Sequence, residues 1–316
     1  MMNIRKKILL FLIIFFTAFF VYSDDGKLRA AAVQFQVRKE IFQSEKIFYK
    51  TIDELLSDYS MQCRPDLVVF PEYTSVFLSL VDYYLLLENA GTFLEGFAYI
   101  KAIHPSLASL KDFFLLTGEE SIKRMDRLWG SLAKKYGVYL CGGSIFAVEK
   151  DDQGEETLVN RLILYDDMGR RMYHQDKVFL TPFEKDLLEL SPGRIAEAKP
   201  VNIKGCKVVF TLCRDTFFEE WEDHFACADL WFDCKANGAS YDQSQKENFQ
   251  AALPERISRG TVAQGCTVCL TGRFLDLFWE GESSYIKKTG NSYIIIEKTS
   301  TYTDQEVLCF TAVSRE

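Results

Sequence analysis

The eight residues from Val208 to Asp215 read VVFTLCRD, a run of apolar strand-forming residues that ends in a thiol. A continuous apolar run of this kind is typical of a strand that is buried on both faces in an α/β protein. Groups at the carboxyl ends of such strands project into the crevice where ligands bind. The run therefore favours an α/β fold, and it predicts that Cys213 lies in a ligand-binding crevice.

Two other predicted strand ends carry reactive side chains. The sequence from Asp66 to Glu72, DLVVFPE, delivers a carboxylate, and the sequence from Tyr173 to Pro182, YHQDKVFLTP, delivers the ammonium group of Lys177. A thiol with an ordinary pKa near ~8.5 is mostly protonated at neutral pH, so it needs a nearby base or cation to act as a nucleophile. A carboxylate, an ammonium and a thiol in this order are the components of an acyl-transfer site that uses neither a metal nor a histidine.

Strand-like and helix-like stretches alternate along the chain from Leu28 onward. The predicted strands span residues 28–35, 67–70, 138–148, 158–165, 201–203, 207–212, 228–232, 267–271 and 293–297. The predicted helices span residues 40–59, 127–136 and 245–264, and turns are expected at 166–169 and at Gly205. Because no internal repeat or low-complexity linker interrupts this alternation, we expect one domain from residue 28 to residue 316.

The segment from Val76 to Lys123 is long and rich in Leu, Phe and Tyr. The dipeptide His104-Pro105 is expected to break or bend any helix there, because proline disfavours the helical conformation of the preceding residue. We favour the interpretation that the segment adds helices that cover the sheet. A lid over the active site is the alternative interpretation.

The N-terminus has the composition of a secretory signal peptide. Arg5, Lys6 and Lys7 precede an apolar stretch of 14 residues from Ile8 to Val21, and polar residues follow it. As a helix this stretch would reach only ~21 Å, against a hydrocarbon core of ~30 Å. We therefore expect residues 1–23 to be a cleaved signal peptide and the protein to be exported, either periplasmic or secreted. Membrane anchoring by an uncleaved N-terminal segment is the alternative.

The charge balance excludes some partners. Removing residues 1–23 takes away three positive charges and no negative ones, which lowers the formal net charge from −8 to −11. An acidic protein of this kind should repel nucleic acid and anionic lipid, so we expect no nucleic-acid partner. Hydrophobic residues make up 48% of the 316 residues, which is enough for a sizeable core.

Nine cysteines in an exported chain raise the question of disulfides. Four of them lie in or beside apolar strand-like runs, where a free cysteine behaves as a small buried hydrophobe: Cys141, Cys206, Cys269 and Cys309. One bridge that involves Cys63, Cys227, Cys234 or Cys266 is the alternative, and the sequence does not assign its connectivity.

Three blocks of the sequence resemble the signature blocks of the nitrilase superfamily of carbon–nitrogen hydrolases. They are FPE at 70–72, DKVFLTPFE at 176–184 and LCRD at 212–215, and their order and spacing match those of the family. The resemblance extends from Leu28 to about Ile296 and includes Gly142-Gly143-Ser144 and a helix at 252–264. It implies a four-layer α-β-β-α sandwich whose subunits associate through their helical layers into a homodimer or a larger homo-oligomer.

The resemblance also implies a role for each residue of the site. Glu72 would be the general base, Lys177 the oxyanion stabiliser and Cys213 the nucleophile, with no metal and no cofactor. Glu184 resembles a second glutamate that positions substrate and lysine in many members of the family. Attack on an amide carbonyl places negative charge on its oxygen, which a fixed ammonium group and the backbone N–H of Arg214 would stabilise by ~3–4 kcal/mol per donor.

The sequence departs from the family pattern after the cysteine. Arg214 stands where an aromatic residue often follows, and it is a candidate substrate-positioning residue because its guanidinium could bind a substrate carboxylate. We favour pairing with Asp215 over that role. The region from Asp233 to Asp242 is expected to form another wall of the pocket.

Each reactive residue also has an ordinary explanation as a buried thiol, a helix N-terminal acid or a surface charge. The three histidines, His104, His174 and His224, are expected to have surface, supporting or structural roles. No Gly-x-Ser-x-Gly or His-Glu-x-x-His sequence is present, and the Cys266–Cys269 spacing runs into a predicted strand, which disfavours serine hydrolase, zinc and redox chemistry.

The resemblance to the nitrilase superfamily, together with the predicted signal peptide, implies an exported enzyme of the amidase type. Such an enzyme would cleave a small-molecule amide C–N bond through a thioester on the cysteine. Two alternatives remain open. One is an N-acyltransferase that passes the same acyl group to an amine, and the other is a binding protein on the same scaffold with an inactive site.

Overall fold

The structure of the chain is a computed structural model that describes residues 26–150 and 153–315, without the side chains of residues 59–62. The predicted signal peptide at 1–23 lies outside the described residues. Within them, two β-sheets stack face to face and each sheet carries helices on its outer side.

The first sheet has the strand order β5-β4-β3-β2-β1-β13. Its strands are β1 (Lys27–Val37), β2 (Leu67–Val69), β3 (Tyr139–Lys150), β4 (Glu156–Tyr165), β5 (Arg171–Asp176) and β13 (Glu306–Val313). The second sheet has the order β6-β7-β8-β9-β11-β12. Its strands are β6 (Val201–Ile203), β7 (Cys206–Leu212), β8 (Leu230–Lys235), β9 (Gln264–Phe274), β11 (Ser284–Thr289) and β12 (Ser292–Lys298). The ends of β1 and β9 pair in parallel and join the two sheets, and β10 (Leu277–Trp279) forms a hairpin with β9.

The alternation of side chains along each strand produces the layers. In the described residues, the core between the sheets is built from strand side chains alone, including Leu28, Ala30 and Ala32 of β1. The residues between them, such as Ala31 and Val33, belong to the core under the helices of the first sheet. A buried alternating strand therefore contributes to two cores at once, which explains why its sequence reads as a continuous apolar run.

The helices cover the outer faces of the two sheets. They are α1 (Glu45–Gln62), α2 (Tyr84–Leu87), α3 (Phe93–Ile103), α4 (Leu110–Tyr136), α5 (Glu220–His224), α6 (Gln243–Gln250) and α7 (Leu253–Arg259). Helices α1 and α4 pack on the first sheet, and α5 and α7 pack on the second. This arrangement confirms the predicted α-β-β-α sandwich. Among the residues that the structure describes, no helix has the length and apolar character needed to cross a membrane.

The segment between β2 and β3 is helical, as predicted. It contains a 3₁₀ helix at Val76–Tyr83, followed by α2, α3 and α4. Helix α3 ends with His104 as its C-cap, directly before Pro105, so the expected break at this dipeptide is confirmed. Helix α4 begins 17 residues before the predicted start at Arg127, at a capping box formed by Ser109 and Asp112, and it ends at Gly137 as predicted.

The prediction of helix at 245–264 is confirmed in part, because most of that range is helical, but one continuous helix that ends at Gln264 is wrong. The structure has two short helices there, α6 and α7, and the strand β9 begins at Gln264. Pro254 lies in the first turn of α7, where its missing N–H costs nothing, and α7 ends at Gly260. Each of the nine predicted strands overlaps an observed one, and β5 is the strand whose end the sequence analysis expected before Lys177 without giving it bounds. The strands β10, β11 and β13 were missed.

A disulfide joins Cys63, which follows α1, to Cys309 of β13. The interpretation of Cys309 as a free buried thiol is therefore wrong, and Cys63 is one of the four cysteines proposed for a bridge. The predicted burial of free thiols at Cys141, Cys206 and Cys269 is confirmed. The bridge fixes the C-terminal strand, which pairs antiparallel with β1, to the helical layer of the first sheet.

Replacing both Cys63 and Cys309 with serine is expected to lower the free energy of unfolding by about 2–5 kcal/mol, because the bridge closes a loop with a sequence separation of 246 residues. Urea denaturation of the purified protein measures this loss. Cys227→Ser removes an exposed free thiol and is the matched control. A loss below about 0.5 kcal/mol for the double variant would contradict the expectation.

Candidate active site

The directions of the strands bring three strand ends to the same edge of the sandwich. Strand β2 runs parallel to β1, and β5 has the same direction because two antiparallel pairings relate it to β3. In the second sheet, β7, β8 and β9 are parallel to one another, and β9 is parallel to β1. Glu72, Lys177 and Cys213 follow the carboxyl ends of β2, β5 and β7, and all three line one cavity of about 430 Å³.

Lys177 lies between two buried carboxylates. Its Nζ is 2.9 Å from Oε1 of Glu72 and 2.7 Å from Oε2 of Glu184, and each of the three side chains is at most 1% exposed. Burial alone would lower the pKa of Lys177, but the two carboxylates outweigh it and raise that pKa. The ammonium group is therefore permanently charged and fixed in position, as the predicted oxyanion stabiliser must be.

Glu184 is held by more hydrogen bonds than any other side chain of the site. Its Oε1 accepts hydrogen bonds from Tyr73 Oη at 2.7 Å and from Asn160 Nδ2 at 2.9 Å. Its Oε2 accepts from Thr181 N at 2.9 Å and Thr181 Oγ1 at 3.0 Å, in addition to the contact with Lys177. Burial raises the pKa of Glu184, but Lys177 and these donors outweigh it and hold that pKa below its ordinary value. Glu184 is therefore an ionised support for the lysine.

Three of these supporting residues, Tyr73, Asn160 and Thr181, were missed in the sequence. Asn160 bridges the two glutamates, because its Nδ2 also donates to Glu72 Oε1 at 2.9 Å. An asparagine in the centre of the apolar strand β4 was the available signal, since a buried amide needs a polar partner. Tyr73 follows Glu72 directly, with a positive φ of 64° that turns the chain after β2.

Glu72 has one engaged and one unengaged oxygen. Oε1 accepts from Lys177 and Asn160, whereas Oε2 is buried and has no hydrogen-bond partner. Burial, together with the charge of Glu184, raises the pKa of Glu72 to about 7 although Lys177 opposes the shift. A carboxylate with a free oxygen and a pKa near neutrality has the properties of a general base.

The sequence Gly142-Gly143-Ser144 supports the loop that carries Glu72. Gly143 has a φ of 70°, and a Cβ there would collide with the carbonyl oxygen of Pro71 and lie 2.9 Å from the Cβ of Thr74. Ser144 Oγ accepts a hydrogen bond from Tyr73 N at 2.9 Å. Only glycine allows β3 to approach the loop this closely, so the motif helps to hold the loop that carries Glu72 in position.

Cys213 is the first residue of a 3₁₀ turn at Cys213–Phe217, and its φ is 49°. A non-glycine residue in this region stores roughly 1–2 kcal/mol of backbone strain, so surrounding contacts must hold it. Its carbonyl oxygen accepts from Thr216 Oγ1 at 2.9 Å and from Lys235 Nζ at 3.1 Å. The sharp turn places the thiol at the cavity wall, at the end of β7.

Lys235 and Asp233 form a second buried charged pair behind Cys213. Lys235 Nζ is 2.8 Å from Asp233 Oδ2, and the two side chains are 2% and 0% exposed. Thr216 Oγ1 donates to the same Asp233 oxygen at 3.0 Å. The sequence analysis expected the region from Asp233 onward to form a wall of the pocket. Ala236, Asn237, Gly238 and Ala239 do line the cavity, which confirms that expectation for this part of the region.

Asp215 fixes the turn of Cys213 relative to Lys177. Its Oδ1 accepts from Val178 N at 3.1 Å and Phe179 N at 2.8 Å, the two residues after Lys177, and its Oδ2 accepts from Leu212 N at 3.2 Å. The carboxylate is fully buried. The acid two residues after the cysteine therefore connects two strand ends that belong to different sheets.

The predicted pairing of Arg214 with Asp215 is wrong, because Asp215 is directed to backbone N–H groups. Arg214 Nη1 donates instead to the carbonyl oxygen of Leu180 at 3.1 Å, and the guanidinium lies 5.9 Å from the centre of the Phe218 ring. The side chain is not among the described residues that line the cavity. This geometry gives no support to Arg214 as a substrate-positioning residue.

The histidines lie outside the site. His174 is exposed, as the sequence analysis expected. His104 contacts Tyr83 Oη at 3.2 Å and His224 contacts the carbonyl oxygen of Ala198 at 2.6 Å, which are structural positions. None of the three is among the described residues that line the cavity.

The surroundings of Cys213 favour the protonated thiol over the thiolate. Burial and the charge of Glu72 raise its pKa to about 12, although Lys177 and Lys235 act in the opposite direction. A thiol with this pKa reacts as a nucleophile only when a base accepts its proton during the attack. Glu72 lines the same cavity as Cys213 and has an unengaged carboxylate oxygen, so it is the candidate for that base.

Comparisons with known proteins identify solved structures that share this architecture. The chain is similar in structure to an amidase of the nitrilase superfamily from Nesterenkonia sp. AN1, with a TM-score of 0.62 and 16% identity over 92% of each chain. It is similar to a carbon-nitrogen hydrolase from Helicobacter pylori, with a TM-score of 0.65 and 16% identity over 91% of this chain and 89% of the other. No protein-family model matches the sequence, and neither does any curated protein.

Other structures of the Nesterenkonia amidase, determined on variants of that enzyme, contain small ligands. One holds the acetamide moiety of fluoroacetamide bound covalently at the active-site cysteine, with a TM-score of 0.62 to this chain and 16% identity over 91% of each chain. Another holds butyramide, with a TM-score of 0.62 and 16% identity over 92% of this chain and 93% of the other.

The chain has the fold of the nitrilase superfamily. This finding confirms, at the level of the fold, the resemblance that the sequence blocks indicated. The blocks FPE, DKVFLTPFE and LCRD occupy adjoining strand ends around one cavity.

Proposed function

We propose that the protein is an exported amidase of the nitrilase superfamily, which hydrolyses a non-peptide amide C–N bond through a thioester on Cys213. The observation that carries the proposal is the buried assembly of Glu72, Lys177 and Glu184 beside a cysteine held in a strained turn. The amidase and hydrolase names of the structural neighbours support the same reaction class.

In the first half of the reaction, the unengaged Oε2 of Glu72 accepts the proton of the Cys213 thiol while Sγ attacks the amide carbonyl carbon. The carbonyl oxygen becomes negatively charged, and the ammonium of Lys177 and the backbone N–H of Arg214 stabilise it. The C–N bond then breaks, and Glu72 returns the proton to the leaving nitrogen. The products at this point are a free amine or ammonia and an acyl group bonded to Sγ.

In the second half, water attacks the thioester carbonyl and Glu72 accepts a proton from it. The C–S bond breaks, the carboxylic acid leaves, and the proton held by Glu72 returns to Sγ. The net reaction converts an amide and one water into a carboxylic acid and an amine. The enzyme returns to its starting state, so the carboxylate serves as base and acid in both halves.

The proposal is tested by intact-mass measurement of the protein and of Cys213→Ala after exposure to a panel of amides, with ammonia release followed in parallel. An adduct of acyl mass and ammonia release that both vanish in Cys213→Ala would support the amidase. An adduct without free acid, discharged only when an amine is added, would identify an acyltransferase. The absence of adduct and turnover across the panel would contradict the enzyme and favour a binding protein.

The pH dependence of turnover follows from the pKa of Glu72. Because the base must be ionised, and its pKa is raised to about 7, kcat/KM is expected to fall about tenfold per pH unit below pH 7. The raised pKa of Cys213 produces no loss at higher pH in the ordinary range. A profile measured from pH 5 to pH 9 checks this, and a flat profile down to pH 5 would contradict it.

We also propose export and self-association. The Cys63–Cys309 disulfide supports export, since such bonds persist in oxidising compartments. The edge strand β12 supports self-association, because Ile294, Ile295 and Ile296 are 48–54% exposed. Sequencing the N-terminus of the exported protein and light scattering of the purified protein test these two proposals.

A further inference from the structure

The cavity that contains the reactive groups is apolar over most of its wall. Eight aromatic side chains line it: Tyr73, Phe77, Phe93, Phe114, Phe146, Phe183, Phe278 and Trp279. Besides Tyr73, its polar and charged lining residues are few: Glu72, Lys177, Thr181, Cys213, Asn237 and Asp276. A ligand that reacts at Cys213 therefore extends the rest of its structure along a mostly apolar wall.

Ring-to-ring contacts hold two parts of this aromatic wall in place. On one side, Phe146 lies edge-on to Tyr73 at 5.7 Å between ring centres and to Phe114 at 4.8 Å. On the other side, Phe77 lies edge-on to Trp279 at 5.7 Å. Phe114 and Phe146 are only 3% and 5% exposed. Because these rings are packed from behind, the cavity is a preformed space that a ligand need not open.

The cavity has no cationic group available for an acidic substrate. Among the described residues that line it, Lys177 is the one cation, and it already lies between Glu72 and Glu184. Asp276 adds a negative charge in an exposed position of the lining, where its Oδ1 accepts from Phe93 N at 2.6 Å. A carboxylate on the substrate would therefore be buried without a partner, which is costly.

The volume also exceeds the needs of a small amide. At about 430 Å³ the cavity falls within the range of ~300–1,000 Å³ that is typical of sites for drug-sized ligands. The acyl group stays bonded to Cys213 after the amine has left, so it is the part of the substrate that must fit this space in both halves of the reaction.

We infer that the protein acts on amides whose acyl group is bulky, apolar and free of charged groups. The expected acyl group has about the size of that of an arylalkanoic acid. The inference rests on the proposed amidase function and adds the substrate class. It assigns Phe114, Phe146, Phe183 and Trp279 to recognition of the acyl group. Each methylene of the acyl chain that becomes buried against this wall should raise kcat/KM about fourfold.

The test measures ammonia release from a series of primary amides: acetamide, butyramide, hexanamide and 3-phenylpropanamide. The value of kcat/KM is expected to rise by about 100-fold or more from acetamide to the two largest members, since several methylene equivalents become buried. Succinamic acid, which carries a carboxylate at the far end, should be at least tenfold poorer than pentanamide, its neutral counterpart of similar length.

Two variants in the same turn distinguish a loss of acyl-group recognition from a loss of stability. Phe183 and Leu187 are 43% and 44% exposed in the same turn, but only Phe183 lines the cavity. Phe183→Ala should reduce the ratio of kcat/KM for 3-phenylpropanamide to that for acetamide about tenfold. Leu187→Ala should leave the ratio unchanged, which makes it the matched control.

The outcomes distinguish the inference from the function on which it rests. Turnover that is equal or faster with acetamide, or equal with succinamic acid and pentanamide, overturns the substrate class and leaves the amidase intact. If no amide releases ammonia or forms an adduct, the proposed amidase function is wrong. Calorimetric titration of Cys213→Ala then tests whether the cavity still prefers apolar ligands. Binding of 3-phenylpropanamide in clear preference to acetamide supports the apolar site, and equal binding or none overturns it.

Discussion

Replacing Lys177 with methionine is expected to lower kcat/KM for amide hydrolysis by about 10²–10³-fold and to destabilise the fold by about 3–5 kcal/mol. The loss of rate follows from the removal of the ammonium that faces the developing oxyanion, since one such donor contributes about 10²–10³-fold. The loss of stability follows because Glu72 and Glu184 remain buried at the same place without their shared cation.

The stability loss of Lys177→Met should grow with pH. Without the cation, two carboxylates face each other in a buried site, and the pKa of Glu72, already about 7, moves further upward. A carboxyl whose pKa is raised on folding binds more protons in the folded state than in the unfolded state, so stability falls as the pH rises above the ordinary glutamate value. Urea denaturation at pH 5 and pH 8 measures this change.

Two further variants make the lysine prediction specific. The double variant Lys177→Met with Glu184→Gln removes one of the two facing charges, and it should regain part of the stability without regaining activity. Lys207→Met changes an exposed lysine of β7 and should stay within about 0.5 kcal/mol of the wild type. If Lys177→Met kept its stability and most of its rate, the assignment of this lysine would be wrong.

Replacing Glu72 with glutamine is expected to lower kcat/KM by about 10²–10⁴-fold, because the amide cannot accept the proton of a thiol whose pKa is raised to about 12. The fall of the rate below pH 7 should also disappear in the residual activity. This second readout identifies the general base, since a variant that only disturbs packing would keep the pH dependence.

The matched control for Glu72→Gln is Glu88→Gln, the same change at an exposed position after α2. It should leave both the rate and the pH profile unchanged. The experiment consists of kcat/KM profiles from pH 5 to pH 9 for the wild type and both variants. If kcat/KM of Glu72→Gln still fell below pH 7 as in the wild type, another group would be the base.

The site residues that could be predicted from the sequence are those that follow apolar strands directly. Glu72, Lys177 and Cys213 each stand where an apolar or alternating run stops, and the parallel directions of the strands bring such positions together. Glu184 was found through its resemblance to the family block. These residues are close to their strand in sequence, so local pattern was sufficient.

Two of the three missed residues, Asn160 and Tyr73, act across long sequence separations, whereas Thr181 contacts Glu184 only three positions away. Asn160 reaches Glu72 over 88 positions, and Tyr73 reaches Glu184 over 111. Asp215 was read as the partner of its neighbour Arg214, whereas its Oδ1 accepts from residues 36 and 37 positions earlier and its Oδ2 accepts from Leu212 N. Hydrogen bonds of this kind depend on strand order, which residue periodicity does not contain. The error in the helix predicted at 245–264 has a different cause, because Pro254 and Gly260 are local signals that interrupt the apolar periodicity there.

The Cys63–Cys309 bridge turns most of the chain into a covalent ring. Glu72, Lys177 and Cys213 all lie inside that ring, so a single proteolytic cut anywhere between the two bridged cysteines leaves one connected molecule. The exposed turn at 153–155 between β3 and β4 is a natural place for such a cut. A nicked protein would therefore keep its two pieces together and its strand pairings in place until a reductant opens the bridge.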